Sequence, residues 1–123
     1  MCGIAGFSRC HASTEVELSL TLDALSHRGP DDAGLFKDAS SGVGLAHRRL
    51  SIVDLSPLGH QPMASPDGMV VLVFNGEIYN FPELRTDMER QGVAFHGHSD
   101  TEVLLNLYLA EGEAMVSRLN GIF

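Results

Sequence analysis

The stretch Met1-Cys2-Gly3-Ile4-Ala5-Gly6-Phe7 decides how the rest of the chain is read. Its small apolar residues, with glycine at 3 and 6, read as a buried strand over residues 2–8 that allows close approach of backbone or ligand. The cysteine behind the initiator methionine adds chemistry. Once Met1 is removed, Cys2 carries a thiol and a free α-amine on one residue, and a small second residue favours that removal. The thiolate is the nucleophilic form of cysteine. An α-amine, with an unperturbed pKa of roughly 7.7–8.0, can take the thiol proton directly or through a water. Nucleophile and base then come from a single residue. The bland alternative is an inert cysteine in a buried strand, and the remaining sequence has to decide between the two.

At 123 residues the chain fits one domain and can bury a core, and 44% apolar with 20% charged residues is a globular rather than a disordered composition. The longest clean apolar run, residues 69–74, falls far short of the ~20 residues of a membrane span. No basic region followed by an apolar core marks a signal peptide at the start. A net charge of −8 with a single lysine, Lys37, argues against a nucleic-acid partner. Cys2 and Cys10 make neither a disulfide framework nor a zinc pattern. His96 and His98 alternate as a strand would present them, but no third ligand follows at metal spacing, so no metal is expected. The expectation is a cytoplasmic protein with reduced thiols and no membrane partner.

Thr14-Glu15-Val16-Glu17 is a capping box opening a helix to about residue 26, with Val16, Leu18, Leu20, Leu22 and Leu25 on its apolar side. Residues 27–32 are a loop; 34–37 and 43–47 read as short strands around a turn at 38–42. A loop spans 56–66, Asp67-Gly68 is a turn, and 69–74 reads as a fully buried strand that stops at Asn75-Gly76-Glu77. Asn80-Phe81-Pro82-Glu83 caps a second helix with Leu84 and Met88 inward and Gly92 as its stop. Residues 93–96 suit a short strand. Ser99-Asp100-Thr101-Glu102 opens a third helix with Val103, Leu104, Leu107 and Tyr108 on one face, and 113–119 suits a short fourth. Asn120-Gly121-Ile122-Phe123 reads as a turn into a strand. Strands and helices mix without regular βαβ alternation, which favours an α+β fold.

Five segments together carry a family resemblance: Met1-Cys2-Gly3-Ile4-Ala5-Gly6, His27-Arg28-Gly29-Pro30-Asp31, Arg49-Leu50-Ser51-Ile52-Val53-Asp54, Asn75-Gly76-Glu77-Ile78-Tyr79-Asn80 and Ser99-Asp100-Thr101-Glu102. In this order they resemble the glutaminase domain of glutamine-dependent asparagine synthetase, a class II (N-terminal-nucleophile) glutamine amidotransferase. The resemblance implies a four-layer αββα sandwich, incomplete at its C-terminus here, and hydrolysis of L-glutamine to glutamate with ammonia passed to a second active site.

It also implies residue roles, each with a physical rationale. Cys2 would attack the glutamine amide carbon and form a γ-glutamyl thioester. The developing oxyanion needs donors already in place, and the Asn75 side chain with the Gly76 N–H would supply them; the competing reading of Asn75-Gly76 is a hairpin turn. The substrate α-carboxylate wants an arginine fork and its α-ammonium a carboxylate, roles that fall to Arg49 and Asp100. Backbone groups of Ile52, Val53 and Gly76 and the Glu77 side chain would complete the pocket. The alternatives are a solvated Arg49 beside Arg48, and an Asp100 that serves only the helix macrodipole.

Residues 1–123 are thus expected to form the N-terminal part of a glutaminase domain that needs no cofactor of its own. A C-terminal synthetase domain of the parent protein, using ATP and Mg, is the expected partner and lies outside this chain. Unpaired apolar faces at 2–8 and 69–74 are expected to favour association, with a homodimer as one form. Competing functions are a non-catalytic glutamine-binding fragment and an amidotransferase of cell-surface polysaccharide biosynthesis.

Overall fold

A computed structural model describes residues 2–8 and 14–123. Met1 and Cys10, on which the expectations about processing and thiol count rest, lie outside the described residues. Strands β2 (Asp32–Asp38) and β3 (Val43–Arg49) form an antiparallel hairpin. Its turn is set locally: the Asp38 carboxylate accepts from both the Ser40 N–H and hydroxyl, and Gly42 takes a φ of 70° that other residues resist. β1 (Gly3–Ser8) pairs with the other edge of β3, giving the order β1-β3-β2.

Helix α1 (Thr14–Ala24) packs on this sheet. Leu18 and Leu22, one turn apart, are buried with Ala46 of β3, while Ala5 and Phe7 of β1 close the cluster. Val16 and Leu20 are more than 60% exposed, so the buried stripe is narrower than the leucine spacing implies. Arg48 Nε donates to the Leu22 carbonyl at 2.9 Å and fixes the helix end to the central strand.

The second core is helical. Strand β6 (Glu77–Ile78), helix α2 (Phe81–Arg90) and helix α3 (Asp100–Glu111) bury Ile78, Leu84, Met88, Val103 and Leu107. β6 pairs with β7 (Gly121–Ile122), and β4 (Met63–Ala64) with β5 (Val71–Leu72). Short 3-10 turns cover Pro57–Gly59 and Gly112–Arg118. The architecture is α+β, with three helices and three small antiparallel sheets among the described residues. No helix among the described residues is long and apolar enough to cross a membrane.

Several expectations are corrected. Residues 69–74 are not a fully buried strand: only Val71–Leu72 pairs, with β4 alone, and Met69 is 82% exposed. Continuous apolar character does not distinguish a strand covered on both faces from a ribbon covered on one. Residues 2–8 form an edge strand with Ile4 45% exposed, because β3 rather than β1 is central. Residues 93–96 form no strand; Val93 and Phe95 pack on the helical core, with the Arg85 guanidinium 4.6 Å above the Phe95 ring. Gly112, at φ 60°, ends α3, and a 3-10 turn replaces the expected fourth α-helix. Asn80 precedes α2 without capping it; its amide instead donates to the Arg118 carbonyl and accepts from the Asn120 N–H. Ser99 does cap α3, accepting from the Glu102 N–H, but Leu105 is buried where Tyr108 was expected inward.

Leu107 has no exposed surface, so Leu107→Ala should cost about 2–5 kcal/mol through lost burial and the cavity left behind. Leu20→Ala, on the exposed side of α1, should stay within about 0.5 kcal/mol. Urea unfolding of the two variants checks the split; equal losses would show that the two helical faces are misassigned.

Candidate active site

Cys2 stands just before β1, whose pairing with β3 sets Gly3 opposite Arg48. Its position is held by the loop before β2. Arg28 Nε donates to the Cys2 carbonyl at 3.1 Å, and the Leu50 N–H lies 3.4 Å from the Cys2 sulfur. The same loop grips the end of β3: the Asp31 N–H donates to the Arg49 carbonyl, and the Asp31 carboxylate accepts from the Ser51 N–H. Gly29 packs so tightly between them that a Cβ there would sit 2.5 Å from the Arg48 carbonyl carbon. His27-Arg28-Gly29-Pro30-Asp31 therefore acts as a clamp joining Cys2 to the Arg49 segment, with His27 itself exposed and bonded only to its own turn.

Arg49, 7% exposed, donates through Nη1 to the Ser56 carbonyl at 2.9 Å and through Nη2 to the Asp54 carbonyl. Gly59 lies against the guanidinium, where a Cβ would collide with Nη2. The planar fork is thereby oriented before any ligand arrives. Asp54 organises the loop that supplies those carbonyls. Its carboxylate accepts from the Ser56 and His98 N–H groups. The Ser56 hydroxyl, aided by these N–H groups and by Arg49, outweighs burial and holds its pKa at about 2.

Asp100 is the first residue of α3 and 7% exposed, with Oδ2 accepting from the Ile78 N–H at 3.1 Å. Burial, reinforced by the nearby Glu77 charge, raises its pKa above the usual carboxylate range against the pull of that hydrogen bond. Gly76 needs to be glycine for space: a Cβ would come within 2.5 Å of the Ile122 carbonyl and 2.7 Å of the Phe74 ring. Asn75-Gly76 is not a hairpin turn, since the strands on either side pair with β4 and β7.

These elements enclose a cavity of about 160 Å³, well above the roughly 10–15 Å³ that one water needs. Cys2, Arg49, Ile52, Val53, Gly76, Glu77 and Asp100 all line it. Asn75, alone among the residues singled out in the sequence, does not; it is half-buried just beyond Gly76. A thiol, a buried guanidinium, a buried carboxyl and the Gly76 main chain thus line one small space, a set suited to a zwitterionic substrate attacked at its far end. Among the described residues no group of three or more His, Cys, Asp or Glu is placed to hold a metal ion. The sequence motifs include Arg28, Asp31 and Asp54 without giving them individual roles, and sequence reasoning missed Gly59 and Gln61.

Comparison with known proteins places the chain in a family. A family profile described as "Glutamine amidotransferase domain" matches residues 1–123. The chain is 41% identical over its full length to asparagine synthetase [glutamine-hydrolyzing] 1 of Bacillus subtilis, covering 20% of that protein. It is 38% identical over its full length to an asparagine synthetase [glutamine-hydrolyzing] of Brassica oleracea, covering 21% of it. It is 37% identical to the amidase chry2 of Gibberella zeae, again over the full chain and 20% of the relative. The chain spans about a fifth of the length of the curated relatives it matches.

Gly29→Ala should destabilise the protein by about 1–3 kcal/mol, because the new methyl meets β3 backbone rather than a flexible side chain. A denaturant midpoint unchanged from wild type would contradict the clamp.

Proposed function

The chain belongs to the family of glutamine amidotransferase domains, and we propose that it hydrolyses the side-chain amide of L-glutamine through a thioester at Cys2. The observation that carries this reading is the meeting of Cys2, Arg49, Gly76 and Asp100, from four separate parts of the chain, around one cavity. In the proposed reaction the Cys2 sulfur attacks the amide carbon, and the α-amine freed by loss of Met1 takes the thiol proton and returns it to the departing ammonia. The oxyanion takes hydrogen bonds from the Gly76 N–H and the Asn75 side-chain amide. Its collapse expels ammonia and leaves a γ-glutamyl thioester, which water cleaves to glutamate.

Arg49 receives the substrate α-carboxylate and Asp100, with Glu77, the α-ammonium; backbone groups of Ile52, Val53 and Gly76 complete the contacts. A reducing cytoplasmic setting suits a free nucleophilic thiol. We further propose that residues 1–123 are the N-terminal part of a four-layer αββα sandwich, and that its ammonia goes to an ATP- and Mg-dependent synthetase domain of the parent protein. The names of the relatives from Bacillus subtilis and Brassica oleracea support amidation of the asparagine-synthetase type as its destination.

Incubation with an electrophilic glutamine analogue followed by intact mass spectrometry should show loss of the Met1 mass and one adduct on Cys2. Cys2→Ala should abolish glutamate release while glutamine binding stays within several-fold; turnover equal to wild type would rule out the mechanism. A further prediction follows from Asp100. Its carboxyl has to be ionised to hold an ammonium, and its pKa is raised, so kcat/KM for glutamine should fall on acidification from a pH above the ordinary Asp range of about 3.9. Asp100→Asn should remove this acid limb and raise KM more than it lowers kcat; a pure kcat loss would contradict the role.

A further inference from the structure

Two buried side chains with no role in the scheme above grip the main chain just before Asn75. The Phe74 N–H donates to Gln61 Oε1 at 2.6 Å, and the Phe74 carbonyl lies 3.3 Å from His47 Nε2. Gln61 also donates through Nε2 to Thr101 Oγ1 at 3.2 Å, next to Asp100. Gln61 is 5% exposed and His47 fully enclosed. Neither is a natural choice for filling space, since burying polar groups carries a cost that an aliphatic side chain avoids.

His47 shows that cost openly. Facing a carbonyl, Nε2 has to carry the ring proton, which leaves Nδ1 as an acceptor; it is buried without a hydrogen-bond partner among the described residues. Burial also lowers the His47 pKa to about 4, so the ring stays neutral at ordinary pH and keeps a single donor, aimed at Phe74. His47 and Arg49 are two apart on β3 and share a face of the strand. One rigid strand therefore carries both the arginine of the cavity and the grip on Phe74, and Gln61 ties that grip to the start of α3.

We propose that His47 and Gln61 are positioning residues: by holding both main-chain polar groups of Phe74, they fix the direction in which Asn75 and Gly76 present their N–H donors to the oxyanion formed at Cys2. The proposal rests on the glutaminase reading. Oxyanion donors act only when held within hydrogen-bond distance of the developing charge. A misplacement of about 1 Å can cost on the order of 100-fold in rate. Arg49 and Asp100 are held by other contacts, with the Ser56 and Asp54 carbonyls and the Ile78 N–H, so glutamine binding depends on that alignment less than turnover does.

The test compares His47→Gln with His47→Asn, and Gln61→Met with wild type, in the intact protein. The amide nitrogen of glutamine reaches the place of Nε2, whereas that of asparagine stops near Nδ1. His47→Gln should keep kcat within about threefold of wild type, and His47→Asn and Gln61→Met should lose roughly 10–100-fold in kcat. In a Cys2→Ala background the two His47 variants should bind glutamine within about threefold, the same degree of retention as an unmoved pocket. Equal kcat for the Gln and Asn variants, or losses of binding that match the losses of kcat, would overturn the positioning role. Wild-type protein with no Cys2-dependent glutamate release would instead overturn the glutaminase reading, and this proposal with it.

Discussion

The structure depends on the register in which β1 lies on β3. Gly3 opposite Arg48 puts Cys2 at the level of Arg49, and a slip of one residue would turn the strand's inward side chains outward. Several independent contacts hold that register. Leu25 packs at 3.2 Å from the Cβ position of Gly3, Arg28 holds the Cys2 carbonyl, Gly29 presses on Arg48 and Arg49, and Arg48 reaches the end of α1. Each is weak alone, but all agree on one alignment, and the geometry of the cavity follows from it.

The arginines are used in an uncommon way for so acidic a chain. Arg28, Arg48 and Arg49 donate to backbone carbonyls of Cys2, Leu22, and Ser56 with Asp54, where surface ion pairs with the sixteen acidic residues would be the simpler use, and Arg85 adds the Gly97 carbonyl to its pair with Glu89. A guanidinium offers five donors in a rigid fork and loses its proton under no ordinary condition. As a staple between loops it fixes direction, which a screened surface pair contributes little to. The charged Arg49 is oriented by neutral oxygens, so its charge remains available to an anionic ligand.

How much of this was legible follows from the range of the interactions. The β2–β3 hairpin, α1, α2 and α3 were readable because caps, turns and periodicity are local signals. The seven expected site residues that do line the cavity were readable only as motifs in matching order, since nothing local brings Cys2 to Asp100. Gln61, bonded to residues 13 and 40 positions away, looks in sequence like any loop glutamine. The error over residues 69–74 has the same origin: an apolar run reports a preference for burial but not whether enough chain lies on both faces to satisfy it. Asn80 bears an ordinary cap signature, yet the C-terminal segment outcompetes the helix for its amide.

The cavity walls include Cys2 at one end and Ile122 at the other. In vectorial synthesis this spacing becomes a delay. At about 5–20 residues per second, roughly 6–24 s separate the emergence of Cys2 from that of Ile122. During that interval the cavity lacks the wall that Ile122 supplies, whatever earlier walls have already emerged. The cavity is thus a property of the chain through Ile122, and no shorter N-terminal stretch presents all of these walls.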